Sequence, residues 1–335
     1  MIPPLAPTFD AALRDVRAQH PRFRGAAAAR LGEPPPERRD EAVLGLLELA
    51  KDDTGAVREA AYESLGALGA LEGLATLLDA FEDGHMGARQ AAVLAVGRVA
   101  PEEGADAIAA LLDDARPEMR FSAIWTLSYL GSGHADRIAV GLRDEDQEVR
   151  LLAVQCLGEL GAAGKADAIA ALLEDPSDAV RFAAATGLAA LGDGRGAAML
   201  SAALNLPDRA FPAAIGLGDL EDRSSLAALT RLAKHPWRSP ILRAAAARAL
   251  VCLGDPAGID VLRKLVRSWR IEARQYAVQL VGELELTSLV PDLARALRKS
   301  RKAEQPVYET TLEQLAPKSD EAKALLASLR QANQP

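Results

Sequence analysis

Five arginines, Arg58, Arg89, Arg120, Arg150 and Arg181, follow one another at intervals of 31, 31, 30 and 31 residues. Each has an aspartate six residues earlier (Asp52, Asp83, Asp114, Asp144, Asp175) and an alanine three residues later (Ala61, Ala92, Ala123, Ala153, Ala184). Ten residues after each arginine comes Leu68, Val99, Leu130, Leu160 or Leu191, followed by glycine in every case but Ala100. A fixed period of this length means one supersecondary unit stacked many times, so that each copy buries its apolar face against its neighbours. The expected architecture is therefore an all-α, right-handed solenoid of about ten two-helix repeats.

Within a repeat, a first helix such as EAVLGLLELA or ADAIAALLED ends in acidic residues, and a short turn leads to a second helix that carries the arginine. On the second helix, offsets +3, +4, +7 and +10 from the arginine are apolar, which is one helical face. Offset +8 is small (Gly66, Gly97, Ser128, Gly158, Ala189), as needed where two helices approach closely. A catalytic pair is required once, whereas the Asp and Arg return in every repeat. They are thus expected to form a structural ladder, each Asp accepting backbone N–H bonds at the start of the second helix and each Arg bridging adjacent turns.

The ends of the array depart from this pattern. Thr8 can cap a first helix and Pro21 can open a second, whose Arg24 takes the anchor place without its aspartate, so residues 1–39 read as a capping repeat. The run Glu33 to Asp40, EPPPERRD, is a stiff connection. Regular repeats fill 40–205. From 206 to 335 the chain is irregular and more basic, a second segment of one solenoid. Taking Gly218 as a closing glycine puts Pro207 at the arginine's place, and Pro212 must bend or delay its helix. The arginine returns at Arg243 and Arg274, with Trp237 and Ser268 in place of the aspartate.

Asp52 to Gly69 and Asp144 to Gly161 share Asp, Val-Arg, Ala, Leu-Gly and Leu-Gly at the same places. In these residues the chain resembles the short HEAT repeats of the phycobilisome-lyase type. The resemblance implies an α-solenoid, in a family that mixes scaffolds, bilin lyase subunits, an iron-dependent deoxyhypusine hydroxylase and relatives that excise alkylated bases from DNA. The hydroxylase relatives bind iron through repeated His-Glu pairs. Here none of His20, His85, His134 and His235 precedes a glutamate, so no metal is expected. There is no phosphate-binding loop, nucleophile elbow or Cys/His metal spacing, so no catalytic residue and no cofactor is expected.

Charge narrows the partners. The chain carries a net −8, which disfavours wholesale attraction to nucleic acid or to an anionic membrane, yet 231–302 holds 15 Lys plus Arg against 6 Asp plus Glu. In that segment Arg263, Lys264, Arg267, Arg270 and Arg274 cluster with Trp269 and Tyr276. Such a cluster suits an anion or a phosphate-bearing or acidic protein, or is a solvated surface; a nucleic-acid-binding or base-excision relative would use it together with Glu272. The start of the chain lacks a basic and apolar leader, no apolar run is long enough to span a bilayer, and Cys156 and Cys252 stand far apart, so a cytoplasmic protein with buried thiols is expected.

The functional expectation rests on aromatics, which make up only 4% of the chain. In a HEAT solenoid the second helices line the concave side, where offsets +1, +5 and +9 form a surface stripe. In the Arg120 repeat that stripe reads Phe121, Trp125, Tyr129, with Leu94 on one side and Leu151 and Phe182 on the other. The competing reading is that offset +1 packs into the next repeat and Trp125 covers it. The expected function is a non-catalytic scaffold that docks a helix or extended segment of another protein in this groove.

Overall fold

The computed structural model describes residues 7–332, with the backbone alone at Ala332. The first six residues, on which the expectation of no leader partly rests, lie outside the described residues. Those described form ten helix pairs and a final helix, without strands. The chain divides into two compact units, Met1–Ala183 and Ala184–Pro335. In the first unit the pairs are α1 (Phe9–Asp15) and α2 (Pro21–Leu31), α3 (Arg39–Leu49) and α4 (Gly55–Ala67), α5 (Leu74–Asp79) and α6 (Met86–Val99). They continue with α7 (Glu103–Ala110) and α8 (Pro117–Leu130), α9 (Ala135–Ile138) and α10 (Gln147–Glu159), then α11 (Ala166–Ala171); α12 (Asp178–Ala190) runs across the division. The second unit holds α13 (Ala197–Ala203) and α14 (Ala210–Asp219), α15 (Leu226–Lys234) and α16 (Pro240–Cys252), α17 (Pro256–Val266) and α18 (Ile271–Glu283). It closes with α19 (Val290–Leu297), α20 (Gln305–Leu315) and α21 (Asp320–Ala332).

Each even-numbered helix packs on the next even-numbered one within its unit, α4 on α6 and α6 on α8, for example, and α16 on α18. The apolar offsets read from sequence are the faces that do so: Ala61, Leu65, Ala92, Val96, Ala123 and Leu127 are fully buried. The small offset is required by contact. A Cβ on Gly66 would lie 2.8 Å from the Ala95 backbone, and one on Gly97 would lie 2.5 Å from the Thr126 methyl.

The aspartates and arginines form the expected ladder. Asp52, Asp83, Asp114, Asp144 and Asp175 each accept the N–H two residues on, at 2.8 to 2.9 Å. Each arginine reaches back to the carbonyl of its own aspartate with Nη1, and Arg58, Arg120 and Arg150 also reach forward with Nε and Nη2 to the aspartate of the next repeat. Thus Arg58 grips Asp83 at 2.6 Å, Arg120 grips Asp144 at 2.7 Å, and Arg150 grips Asp175 at 2.8 and 3.0 Å. Arg24 of the first repeat makes the same fork on Asp52, so the capping repeat is electrostatically a full member. One rung differs. Asp114 is taken from within its own turn by Arg116, leaving Arg89 to donate to Glu118 at 3.0 Å with its buried Nε unpaired.

The irregular segment has a register different from the expected one. One or two residues past their second helices, Gly69, Gly131, Gly161, Gly192 and Gly254 have positive φ values of 57° to 107°, and the same role falls to Glu221 (φ 51°) and Glu285 (φ 53°). With Glu221 as the closing residue, the anchor place is Ala210 rather than Pro207. Gly218 is then the small offset, where an added Cβ would stand 2.8 Å from the Ala249 backbone. The regular second helices begin three residues before the arginine, but α14 begins at the anchor place itself. Pro212 therefore falls in the first turn, where its missing N–H costs nothing. Delay, rather than a bend, is how the chain accommodates it.

Candidate functional site

On α8 the inward face is filled by Met119, Ala123, Ile124 and Leu127, all fully buried, together with Thr126, whose hydroxyl donates to the Ser122 carbonyl at 2.8 Å. The outward face carries Phe121, Trp125 and Tyr129, which are 36%, 53% and 67% exposed. They stand at i, i+4 and i+8, on one side of the helix. The neighbouring helices α6 and α10 both pack on α8, and on them Leu94 and Leu151 are half-buried. Phe182, on α12, is also half-buried. Leu94 also lines a groove of about 370 Å³ along α2, α4 and α6 with Ala60, Glu63, Ala67 and Arg98.

The five basic residues expected to form an anion site divide between two uses. Arg263 and Arg267 both pair with the buried Asp292, and Arg274 pairs with the buried Glu304, the acid that replaces an aspartate in that rung. Burial raises the Glu304 carboxyl, but the hydrogen bonds from Arg274 and from the Arg301 N–H outweigh it and hold it below its ordinary value. Lys264 and Arg270 make no ion pair with any described carboxylate. They line a cavity of about 340 Å³ with Trp237, Arg238, Arg243 and Trp269. Sequence proximity brought Trp237 near this group but missed Arg238 and Arg243, although the loss of aspartate at Trp237 and Ser268 was the signal. Tyr276 is half-buried with its ring 6.1 Å from that of Phe211, burial raising its hydroxyl pKa, and Glu272 is exposed.

The histidines sit at helix ends. Nδ1 of His20 accepts the Arg22 N–H, that of His85 the Ala88 N–H, and that of His235 the Trp237 N–H, at 3.1 to 3.3 Å. Among the described residues no group of three His, Cys, Asp or Glu could hold a metal ion. Cys156 is buried and Cys252 half-buried, both as free thiols whose pKa burial raises. Among the described residues no helix is long and apolar enough to cross a membrane.

The sequence model of HEAT repeats matches residues 9–88, 135–212 and 211–270. No curated protein matches the sequence significantly. Among solved structures, YibA of Escherichia coli is similar at 18% identity with a TM-score of 0.57, over 74% of this chain and 93% of that one. Importin beta is similar at 14% identity with a TM-score of 0.55, over 97% of this chain and 53% of that one. The CpcE–CpcF complex of the phycocyanin lyase from Nostoc aligns over 77% of this chain and 93% of that one at 21% identity, but with a TM-score of 0.34. At these identities the likeness is one of fold.

Proposed function

Since the chain belongs to the HEAT-repeat family, a family of stacked helix pairs that present long continuous faces, we propose that it is a non-catalytic scaffold. Its partner is a helical or extended segment of another protein, held on the second-helix face of the 1–183 unit. The observation that carries this reading is the side-by-side exposure of Phe121, Trp125 and Tyr129 on α8, a helix whose core face is already filled without them. Trp125 and Tyr129 leave more than half of their surface in solvent and Phe121 about a third, and rigid aromatic side chains are what protein interfaces use as anchors. Leu94, Leu151 and Phe182 flank them as the apolar margin, and in a HEAT solenoid this face is the concave one.

The test is an affinity capture from the native lysate with the wild-type chain beside Phe121→Ala/Trp125→Ala. Both side chains are exposed, so helicity by circular dichroism is expected to be unchanged. The expected result is a protein recovered by the wild type and depleted at least tenfold by the double variant, a loss typical of removing two anchors of about 1 to 2 kcal/mol each. Equal recovery by both baits rejects the groove.

A further inference from the structure

The turns between first and second helices change chemistry between the two units. From the second pair of the first unit onward they are acidic: Asp52-Asp53, Glu82-Asp83, Asp113-Asp114, Asp144-Glu145-Asp146 and Glu174-Asp175. In the second unit three successive turns are basic, the third carrying one acid, the buried Glu304 that pairs with Arg274. They read His235-Pro236-Trp237-Arg238-Ser239, Arg267-Ser268-Trp269-Arg270 and Arg298-Lys299-Ser300-Arg301. The Trp-Arg pair thus returns after 32 residues, beside the place of the lost ladder aspartate: Trp237 occupies that place, and Trp269 follows Ser268, which does. Both tryptophans are held out in solvent, Trp237 at 90% and Trp269 at 82% exposure, more than any other large apolar side chain described.

The two tryptophans share one cavity, about 340 Å³, with Arg238, Arg243, Lys264 and Arg270, and Pro236 and Pro240 stiffen its rim. Its cations are available. Arg243 has no aspartate to grip in the next repeat and only donates to the Ala233 carbonyl, while Arg238, Lys264 and Arg270 have no described carboxylate within 4.0 Å. The Arg270 guanidinium lies 5.2 Å from the Trp269 ring centroid, which fixes that indole beside a positive charge. On the far side of Trp269 a second cavity, about 410 Å³, carries Arg295 and Lys299 into the third basic turn.

We infer that this turn edge binds single-stranded nucleic acid, the bases stacking on Trp237 and Trp269 and the phosphates lying on Arg238, Lys264 and Arg270. An acidic or phosphorylated peptide would use the cations but leave two solvent-held indoles without a purpose. A proline-rich peptide would use the indoles but not the cations. A polyanion that carries a flat π-face beside each phosphate uses both, and a site built on stacking and charge rather than on base edges takes any sequence. This inference is independent of the aromatic groove on α8, which lies in the other unit.

The experiment is fluorescence anisotropy of the full chain with a labelled oligo(dT) of about 16 nucleotides, the upper end of common site sizes. Saturable binding at low salt is expected. Trp237→Ala/Trp269→Ala should weaken it at least tenfold, as stacking sites do, without change in circular dichroism. Arg238→Gln/Arg270→Gln should reduce the slope of log affinity against log salt by about 1.4, two single-strand phosphate contacts. No binding at low salt overturns the inference, as does binding indifferent to the tryptophan pair. It is equally overturned if a phosphopeptide of matched charge binds more tightly, or if the tryptophan pair controls self-association seen as a doubling of mass with concentration.

Discussion

The ladder arginines show how one residue type serves the backbone and the stack together. Its Nη1 closes the turn of its own repeat, and its remaining fork holds the next. In the rung from Arg120 to Asp144 both side chains are only 8% exposed. Removing the arginine would strand a largely buried carboxylate, and removing one partner of such a pair is far more damaging than the pair is stabilising. Arg120→Ala is therefore expected to lower the unfolding free energy by about 3 kcal/mol, read from urea midpoints at constant slope. Arg89→Ala should cost only about 1 kcal/mol, because its guanidinium makes one contact to Glu118 and already carries an unpaired Nε. Equal losses in the two variants would mean that the bidentate fork is not what holds the repeats.

At the scale of the helix pair, the sequence is most legible where it repeats. The core offsets and the small eighth position follow from spacing. The stripe of Phe121, Trp125 and Tyr129 could be placed on an outward face from helical period alone. Legibility ends where an anchor is missing. Around 205–221 no arginine stands at the anchor place and two glycines, Gly216 and Gly218, compete for the closing role; only the left-handed φ of Glu221 shows that the glutamate has it. The partners of Arg263, Arg267 and Arg274 were also illegible, since Asp292 and Glu304 lie 25 to 30 residues downstream and reach them only because the repeats stack. The glutamate at a left-handed position is strained in a way glycine is not. Glu221→Gly is expected to stabilise the protein by about 0.5 to 1 kcal/mol, less than the full left-handed penalty because glycine also enlarges the unfolded ensemble. A lowered thermal midpoint in that variant would count against the assigned register.

Across the whole molecule the ladder makes stability a function of acidity. At Asp83 the hydrogen bonds from Arg58 hold the carboxyl below its ordinary value of 3.8. At Asp144 and Asp175 burial pushes the other way, but the arginine fork and the backbone N–H outweigh it, and both are lowered; Asp52 and Glu304 are lowered in the same manner. A carboxylate whose folded pKa is depressed binds its proton more readily when unfolded. Its contribution is complete above the unfolded value and is lost as pH falls through the folded one. These groups are strung along both units, so acid should loosen every rung over the same narrow range rather than one weak point. The urea midpoint is expected to be flat from about pH 7 to 5 and to fall steeply below about pH 4, where the unfolded carboxylates take up protons first. Asp83→Asn/Asp144→Asn should be less stable at neutral pH and show a shallower acid limb, because two of the proton-linked groups are gone. An acid limb of unchanged steepness in that variant would place the linkage in the exposed carboxylates instead, and with it the source of the molecule's pH dependence.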